Sequence, residues 1–332
     1  MDSFKSDLAK PPIPYTKGWK FTVRSHITPA PTPVTLYGCR NFDHGREERA
    51  QLGPVARCCK HPPLPGDLGP DTVELEVLDP IRVGDGHSAQ VFTVRTLNLE
   101  SNTEIFQGTS ELVAKVFDPL YIDDHRGYLN PFLCEDRFYT HEAQTYRVLS
   151  DLQGDLIPRF YGSYSADIEC RDVGDDSEAN QSCLRTVRLI LIEHIPGKSM
   201  LQIGPSNFSQ QDRQRIMKSV IEFETHVYST KDILLTDLSP RNVMMVPPGS
   251  RGGSSLVFLD FGGALFGRKL DEPILEGREY FLGKYISPIL RWKGNMILEF
   301  REWIDWEWAD WVDSEYANTA YTITPEMRER YS

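Results

Sequence analysis

The chain is short of positive charge: its 332 residues hold 36 Lys+Arg against 48 Asp+Glu, a formal net charge of −12. Polyanions repel such a surface, which argues against binding nucleic acid or an anionic membrane. Long apolar runs are missing as well, and nothing approaches the roughly 18 consecutive apolar residues of a membrane-crossing helix. The opening MDSFKSDLAKPPIP has no apolar core and does not read as a secretory signal. Cysteine is sparse. Cys39, Cys58, Cys59, Cys134, Cys170 and Cys183 are too few to scaffold a chain of this length, and no Cys-x-x-Cys occurs. Adjacent Cys58 and Cys59 beside His61 are poorly spaced for a metal, so free thiols are expected, in a reducing intracellular compartment, cytoplasmic or nuclear. What remains is ordinary: 40% hydrophobic and 25% charged residues are enough for a sizeable core. The length suggests about two domains or lobes.

Proline use divides the chain. Nearly half of the prolines fall between Pro11 and Pro70, so residues 1–72 read as an extension, partly ordered and partly linker. Its aromatics (Tyr15, Trp19, Phe21, Tyr37, Phe42) suggest segments that dock on the main domain. From Val73 the pattern turns strand-like. Residues 73–78, 90–95 and 112–117 predict an antiparallel meander, with Gly84-Asp85-Gly86 as the first turn. A helix is predicted over 135–152, strands over 157–161 and 187–192, and a polar loop over 171–186. Glu193-His-Ile-Pro-Gly197 reads as a hinge. Ser209 is a candidate N-cap for a helix carrying Ile216, Met217, Val220, Ile221 and Phe223. Residues 243–246 and 256–259 predict short strands, joined by a turn-rich 247–254. Residues 295–316 predict a helix with Ile297, Phe300, Ile304, Trp308, Trp311 and Val312 on one face. Its tryptophans (303, 306, 308, 311) read as core packing in preference to a binding platform.

Four features carry chemistry together. Gly84-Asp-Gly86-His-Ser-Ala89-Gln-Val91 fits G-x-G-x-x-G-x-V with alanine at the third glycine, and glycines let backbone N–H groups approach phosphates. Alone it is only a hairpin turn. It lies between two strands, which disfavours a dinucleotide fold. Lys115 sits amid apolar strand residues, where its charge needs a partner. Glu142 is the candidate on the following helix, and Glu135 competes. Asp237-Leu-Ser-Pro-Arg-Asn242 places a carboxylate and an amide on one loop, suited to proton handling and to Mg²⁺. Asp260-Phe-Gly-Gly263 ends an apolar strand with a carboxylate able to grip a divalent ion. Along the chain the order is Gly86, Lys115, Glu142, Asp237, Asn242, Asp260, and each falls in the kind of element its role demands.

In this order and spacing, these motifs make the sequence resemble the protein-kinase-like superfamily, over about residues 73–265. The resemblance implies an α+β chain with a two-lobed fold. Residues 73–192 form a small lobe of five antiparallel strands and one helix, and 193–332 form the hinge and a shortened, mainly helical lobe. It implies ATP between the lobes, the adenine against Glu193–Ile195 with Ile192 at the gatekeeper position and Val83, Val91 and Ala114 lining the pocket. Gly84, Gly86 and Lys115 serve the phosphates and Glu142 holds Lys115. Asn242 and Asp260 hold Mg²⁺, and Asp237 acts on a hydroxyl acceptor.

The sequence also departs from the family pattern. Leu235-Thr236-Asp237 replaces His-Arg-Asp, Ser239 stands where a lysine is usual, and Arg241 supplies a substitute cation. The stretch from Gly262 to Ser332 is short for the family's activation segment and docking helices, and Ala-Pro-Glu is absent from it. The expected function is ATP- and Mg-dependent phosphoryl transfer to a hydroxyl, with protein Ser/Thr as the acceptor. A small-molecule kinase of the aminoglycoside or choline kinase type is one alternative. A pseudokinase binding module is the other. Neither nucleic acid nor a membrane is an expected partner, and the acceptor and oligomeric state are left open.

Overall fold

In the computed structural model the described residues are 10–97, 106, 111–170, 183–247, 254–272, 281–294 and 298–331. The chain divides into two compact units. The first contains residues up to 144 together with 159–194; the second contains 145–158 and 195–332. The class is mixed α+β, with a large antiparallel sheet and several helices. Among the described residues, no helix is long and apolar enough to cross a membrane.

Alternation builds the first unit. Along β2 (Asp67–Arg82) Val73, Leu75 and Val77 are buried while the residues between them are partly exposed. With β1 (Lys20–Ile27), β3 (Gln90–Thr96), β4 (Leu112–Phe117), β5 (Phe160–Cys170) and β6 (Cys183–Glu193) it forms a closed antiparallel barrel ordered β1-β2-β3-β4-β6-β5. Phe92, Val94, Leu112, Ala114, Val116, Leu189 and Leu191 belong to its apolar core. All six residues of β4 are buried, as a strand with both faces covered requires. Helices α1 (Asp43–Gln51) and α2 (Pro54–Lys60) precede β2, and α3 (Pro131–Val148) follows β4.

The segment before Val73 is not a separate extension. β1 closes the barrel by pairing with β2 (Phe21 opposite Leu75, Val23 opposite Val73) and with β5 (Arg24 opposite Ser165). The expected boundary at 72/73 falls inside β2, and β1 adds a sixth strand to the five expected over 73–192. Proline density hid this because β1 takes its stability from two neighbours and buries only Val23 and His26 itself. Beyond β1 the segment clings to α3: His26 Nδ1 meets the Tyr139 hydroxyl at 2.6 Å, and the Thr32 carbonyl meets His141 Nε2 at 2.8 Å.

In the second unit, the two-residue β7 (Lys198–Ser199) leads into α4 (Met200–Ile203). Ser209 then caps α5 (Gln210–Thr230) as expected, its Oγ accepting from the Asp212 N–H at 3.1 Å. Glu224 of α5 takes both nitrogens of Arg291 at 2.6 and 2.5 Å, on α6 (Pro288–Arg291). The ring of Tyr228 lies 3.3 Å from the Arg291 guanidinium carbon and 4.2 Å from that of Arg268.

The tail is not one helix. A 3₁₀ segment (Leu298–Trp303) and α7 (Trp308–Glu315) replace it, and α8 (Pro325–Tyr331) follows. The break falls at Asp305, whose carboxylate receives Arg213 Nη2 at 2.5 Å and Gln210 Nε2 at 3.2 Å from α5. Trp303 is core, and Trp311 packs against both Trp306 and Trp308. Expectations for 171–182, 248–253 and 295–297 lie outside the described residues.

The cysteines differ from expectation at one position. Cys39, Cys58, Cys134 and Cys170 are free, but Cys59 is disulfide-bonded. Folding, not spacing, decides which cysteines meet. Cysteine sparsity therefore no longer argues for a reducing setting.

Candidate functional site

Each unit carries one group of the expected residues. In the first unit Lys115 Nζ donates to Glu142 Oε2 at 2.5 Å, joining the middle of β4 to the middle of α3. Their side chains are 9% and 1% exposed, so the pair is buried. The competing Glu135 has neither oxygen hydrogen-bonded and is 4% exposed. Burial first, then the Asp118 carboxylate, push its carboxyl well above the ordinary range. It stays protonated in the folded chain at a pH where the unfolded chain ionises. The folded state then binds more protons, and stability falls as pH rises above the unfolded value of 4.5. Glu135→Gln is expected to raise the urea midpoint at about pH 8, with the gain shrinking as pH falls toward about 4. A gain independent of pH contradicts the assignment.

Strand register sorts the remaining residues of this group. Val91 lies opposite Lys115 and shares its face of the sheet. Ala114 does not: it pairs with Phe92, is fully buried and belongs to the barrel core. The apolar residue on the Lys115 face is Val113, two positions away, opposite Ile192. Ala114 is thus withdrawn from the candidate pocket, and Val113 takes its place because side chains alternate along a strand. Period-2 counting from Lys115 identifies Val113 from sequence alone.

The glycine turn is tied from within. The Gln90 side chain accepts from the Gly84 N–H at 2.8 Å and donates to the Gly84 carbonyl at 2.9 Å. The Gly86 N–H donates to the Tyr121 carbonyl at 2.7 Å, and Gly86 has φ +89° with open space where a Cβ would stand. These two N–H groups are therefore engaged by protein. A cavity of ≈ 240 Å³ adjoins the turn at Asp85 and Gly86 and is also lined by Lys10, Arg49 and Arg57. Glu193 is likewise engaged: its N–H donates to the Arg159 carbonyl, and its carboxylate accepts from the Arg159 N–H, both at 2.9 Å.

In the second unit, short strands hold two loops side by side. β8 (Ile233–Leu234) leads into the Asp237 loop, which ends at β9 (Val243–Met245). β10 (Leu256–Phe258) pairs with β9 and leads to Asp260, and β11 (Leu265–Phe266) returns to pair with β8. The Leu259 N–H donates to the Asn242 carbonyl at 2.8 Å, and Thr236 Oγ1 donates to the Gly263 carbonyl at 2.7 Å. A Cβ on Gly263 would stand 2.5 Å from Thr236 Oγ1, so a larger residue there displaces that hydroxyl. Asp237 and Asp260 line one cavity of ≈ 10 Å³, about the smallest that holds a water. Arg241 Nη2 donates to Asp237 Oδ1 at 2.5 Å, and Asn242 Nδ2 donates to Asp237 Oδ2 at 3.1 Å. Asp260 has φ 65°, the left-handed region that aspartate tolerates better than most residues. Buried Phe261 meets Tyr146 edge-on at 5.3 Å and anchors the turn. Ile195 packs in a small cluster with Val246 and Val257.

The donor set is compatible with Mg²⁺ of the kind that keeps waters and substrate oxygens as ligands. Among the described residues, no three His, Cys, Asp or Glu side chains converge as a metal site. The Asp260 carboxylate would be one ligand, and the amide oxygen of Asn242, which does not line the Asp260 cavity, a second. That amide oxygen is available because the amide nitrogen, not the oxygen, faces Asp237. Sequence reasoning missed Gln90, Thr236 and Val113. No protein-family model matches the chain, and no curated protein does.

Proposed function

We propose that the chain is an ATP- and Mg-dependent phosphotransferase with a two-lobed, protein-kinase-like fold. The observation that carries this reading is the buried Lys115–Glu142 pair. A charge pair this buried is costly to maintain, and it falls between the strand and the helix where the motif spacing requires it. The Asp237–Asn242 loop fastened to the Asp260 turn supports the same reading.

When bound, Mg-ATP supplies the transferable phosphoryl group and the cation supplies charge neutralisation. The residues do the rest. Lys115, oriented by Glu142, neutralises phosphate oxygens. Val91 and Val113 offer apolar contact to the base. Asp260 and Asn242 offer oxygens to the cation. Asp237, with Arg241 and Asn242 fixing its two oxygens, orients the acceptor hydroxyl and takes its proton. The acceptor is a hydroxyl, with protein Ser/Thr ahead of a small molecule.

One observation favours a second reading, a nucleotide-binding module without turnover. The N–H groups of Gly84 and Gly86 are committed to Gln90 and Tyr121, so the turn has fewer donors for phosphate. Thermal unfolding with and without Mg-ATP, on wild type and Asp260→Asn, tests nucleotide binding. Ligand at about 100 times its dissociation constant stabilises by about 2.7 kcal/mol. A Mg-dependent shift in wild type that Asp260→Asn loses is the expected result. No shift at saturating Mg-ATP removes both readings. A shift without phosphoryl transfer to protein or small-molecule hydroxyls leaves only the second.

A further inference from the structure

Residues 39–41 run antiparallel to 128–130. The Asn130 N–H donates to the Cys39 carbonyl at 2.8 Å, the Asn41 N–H donates to the Tyr128 carbonyl at 2.9 Å, and Arg40 bridges to Leu129. Asn130 also starts α3. Its carbonyl accepts the Cys134 N–H at 3.1 Å, and its side-chain oxygen accepts the Phe132 and Leu133 N–H groups at 3.0 and 3.2 Å. This ladder sets Cys39 beside the first turn of α3, which carries Cys134, and the two thiols interact. Both thiols are free. Cys134 is buried and Cys39 is half-buried, so Cys39 is the more accessible of the two residues. Arg137, one turn further along α3, also favours a Cys39 thiolate.

We infer that Cys39 and Cys134 form a peroxide-oxidisable dithiol, a modification site whose disulfide fastens the N-terminal segment to the helix carrying Glu142. The neighbouring Cys134 thiol lowers the Cys39 thiol against the effect of burial, and Arg137 adds to this. The same interaction and burial push Cys134 up. Cys39, the more exposed of the two, is therefore the attacking residue and buried Cys134 the resolving one. In the first step the Cys39 sulfur attacks one oxygen of hydrogen peroxide. The S–O bond forms, the O–O bond breaks, and the departing hydroxide leaves as water with the thiol proton. In the second step the Cys134 sulfur attacks the Cys39 sulfur. The S–S bond forms, the S–O bond breaks, and hydroxide leaves as water with the Cys134 proton. The two sulfurs together lose two electrons, and the peroxide gains them. This inference holds independently of the phosphotransferase reading.

The test uses the full chain treated with hydrogen peroxide, alkylated under denaturing conditions and digested without reduction. The expected product is a Cys39–Cys134 cross-linked peptide that dithiothreitol abolishes. Oxidised wild type is expected to have a higher urea midpoint than reduced wild type, and Cys39→Ser is expected to show neither the cross-link nor the shift. In Cys134→Ser, Cys39 is expected to accumulate as a dimedone-reactive sulfenic acid. Three wild-type results overturn the proposal: Cys39 oxidised while Cys134 remains alkylatable, Cys39 joined to a different cysteine, or both thiols intact after treatment. Because each is read on the wild-type chain, a folding defect in either variant does not blur the answer.

Discussion

An Asp118→Ala chain is expected to lose about 3–5 kcal/mol of folding stability, the cost of stranding a buried charge. Asp118 follows β4 in the register that points into the barrel, and its side chain is fully buried. Arg185 Nη1 donates to Oδ1 at 2.5 Å, the Tyr15 hydroxyl donates to Oδ2 at 2.5 Å, and the Leu120 N–H donates to Oδ1 at 3.1 Å. Removing the carboxylate leaves a guanidinium that cannot shed its proton at a buried position. Arg185 Nε already lacks a hydrogen-bond partner. Burial works against the Arg185 charge, and the Asp118 carboxylate more than restores it. A lower urea midpoint at unchanged m-value is the measurement. The double variant Asp118→Leu, Arg185→Met is expected to recover most of the loss, because an apolar pair of similar volume can replace a buried ion pair. A loss under about 1 kcal/mol for Asp118→Ala means that water reaches Arg185, and the argument from burial fails.

Asp237→Asn is expected to cut phosphoryl transfer by about 10²–10⁴-fold, the range for losing a positioned general base. Mg-ATP affinity is expected to fall far less than turnover, because Asp260 keeps its carboxylate and Asn242 its amide oxygen. The asparagine keeps the size of the side chain and one oxygen for Arg241, while its amide nitrogen replaces the oxygen that accepts from Asn242. The loss therefore reports the missing carboxylate. The measurement is single-turnover transfer at saturating nucleotide, beside a binding isotherm. Unchanged turnover takes Asp237 out of the mechanism, and a parallel loss of affinity makes it a binding residue.

Local chemistry was legible in the sequence wherever it is decided within a few residues. The Ser209 cap, the strands on either side of the glycine turn and the choice of Glu142 over Glu135 all follow from spacing and periodicity. The Lys115 partner was legible because a lysine in an apolar strand demands a carboxylate, and the deeper position on the helix faces it. Features decided by distant pairing were not legible. β1 looks like one more broken piece of a proline-rich segment until β5 is seen beside it. The Cys59 disulfide and the break at Asp305 likewise depend on residues far off in sequence. The Ala114 error has a different origin: strand parity was available, and the motif was aligned one position off it.

The closing strand also fixes an order of events. Arg24 of β1 pairs with Ser165 of β5, which lies far later in the chain. During synthesis, β1 can meet β2 early, but its second neighbour does not exist until the ribosome has passed Ser165. Until then β1 and the growing sheet each present an unpaired edge, the kind of surface that recruits other chains. So distant a closure is also slow, since the intervening loop must be ordered before its contacts give anything back. The barrel's first strand is thus among its last to be locked.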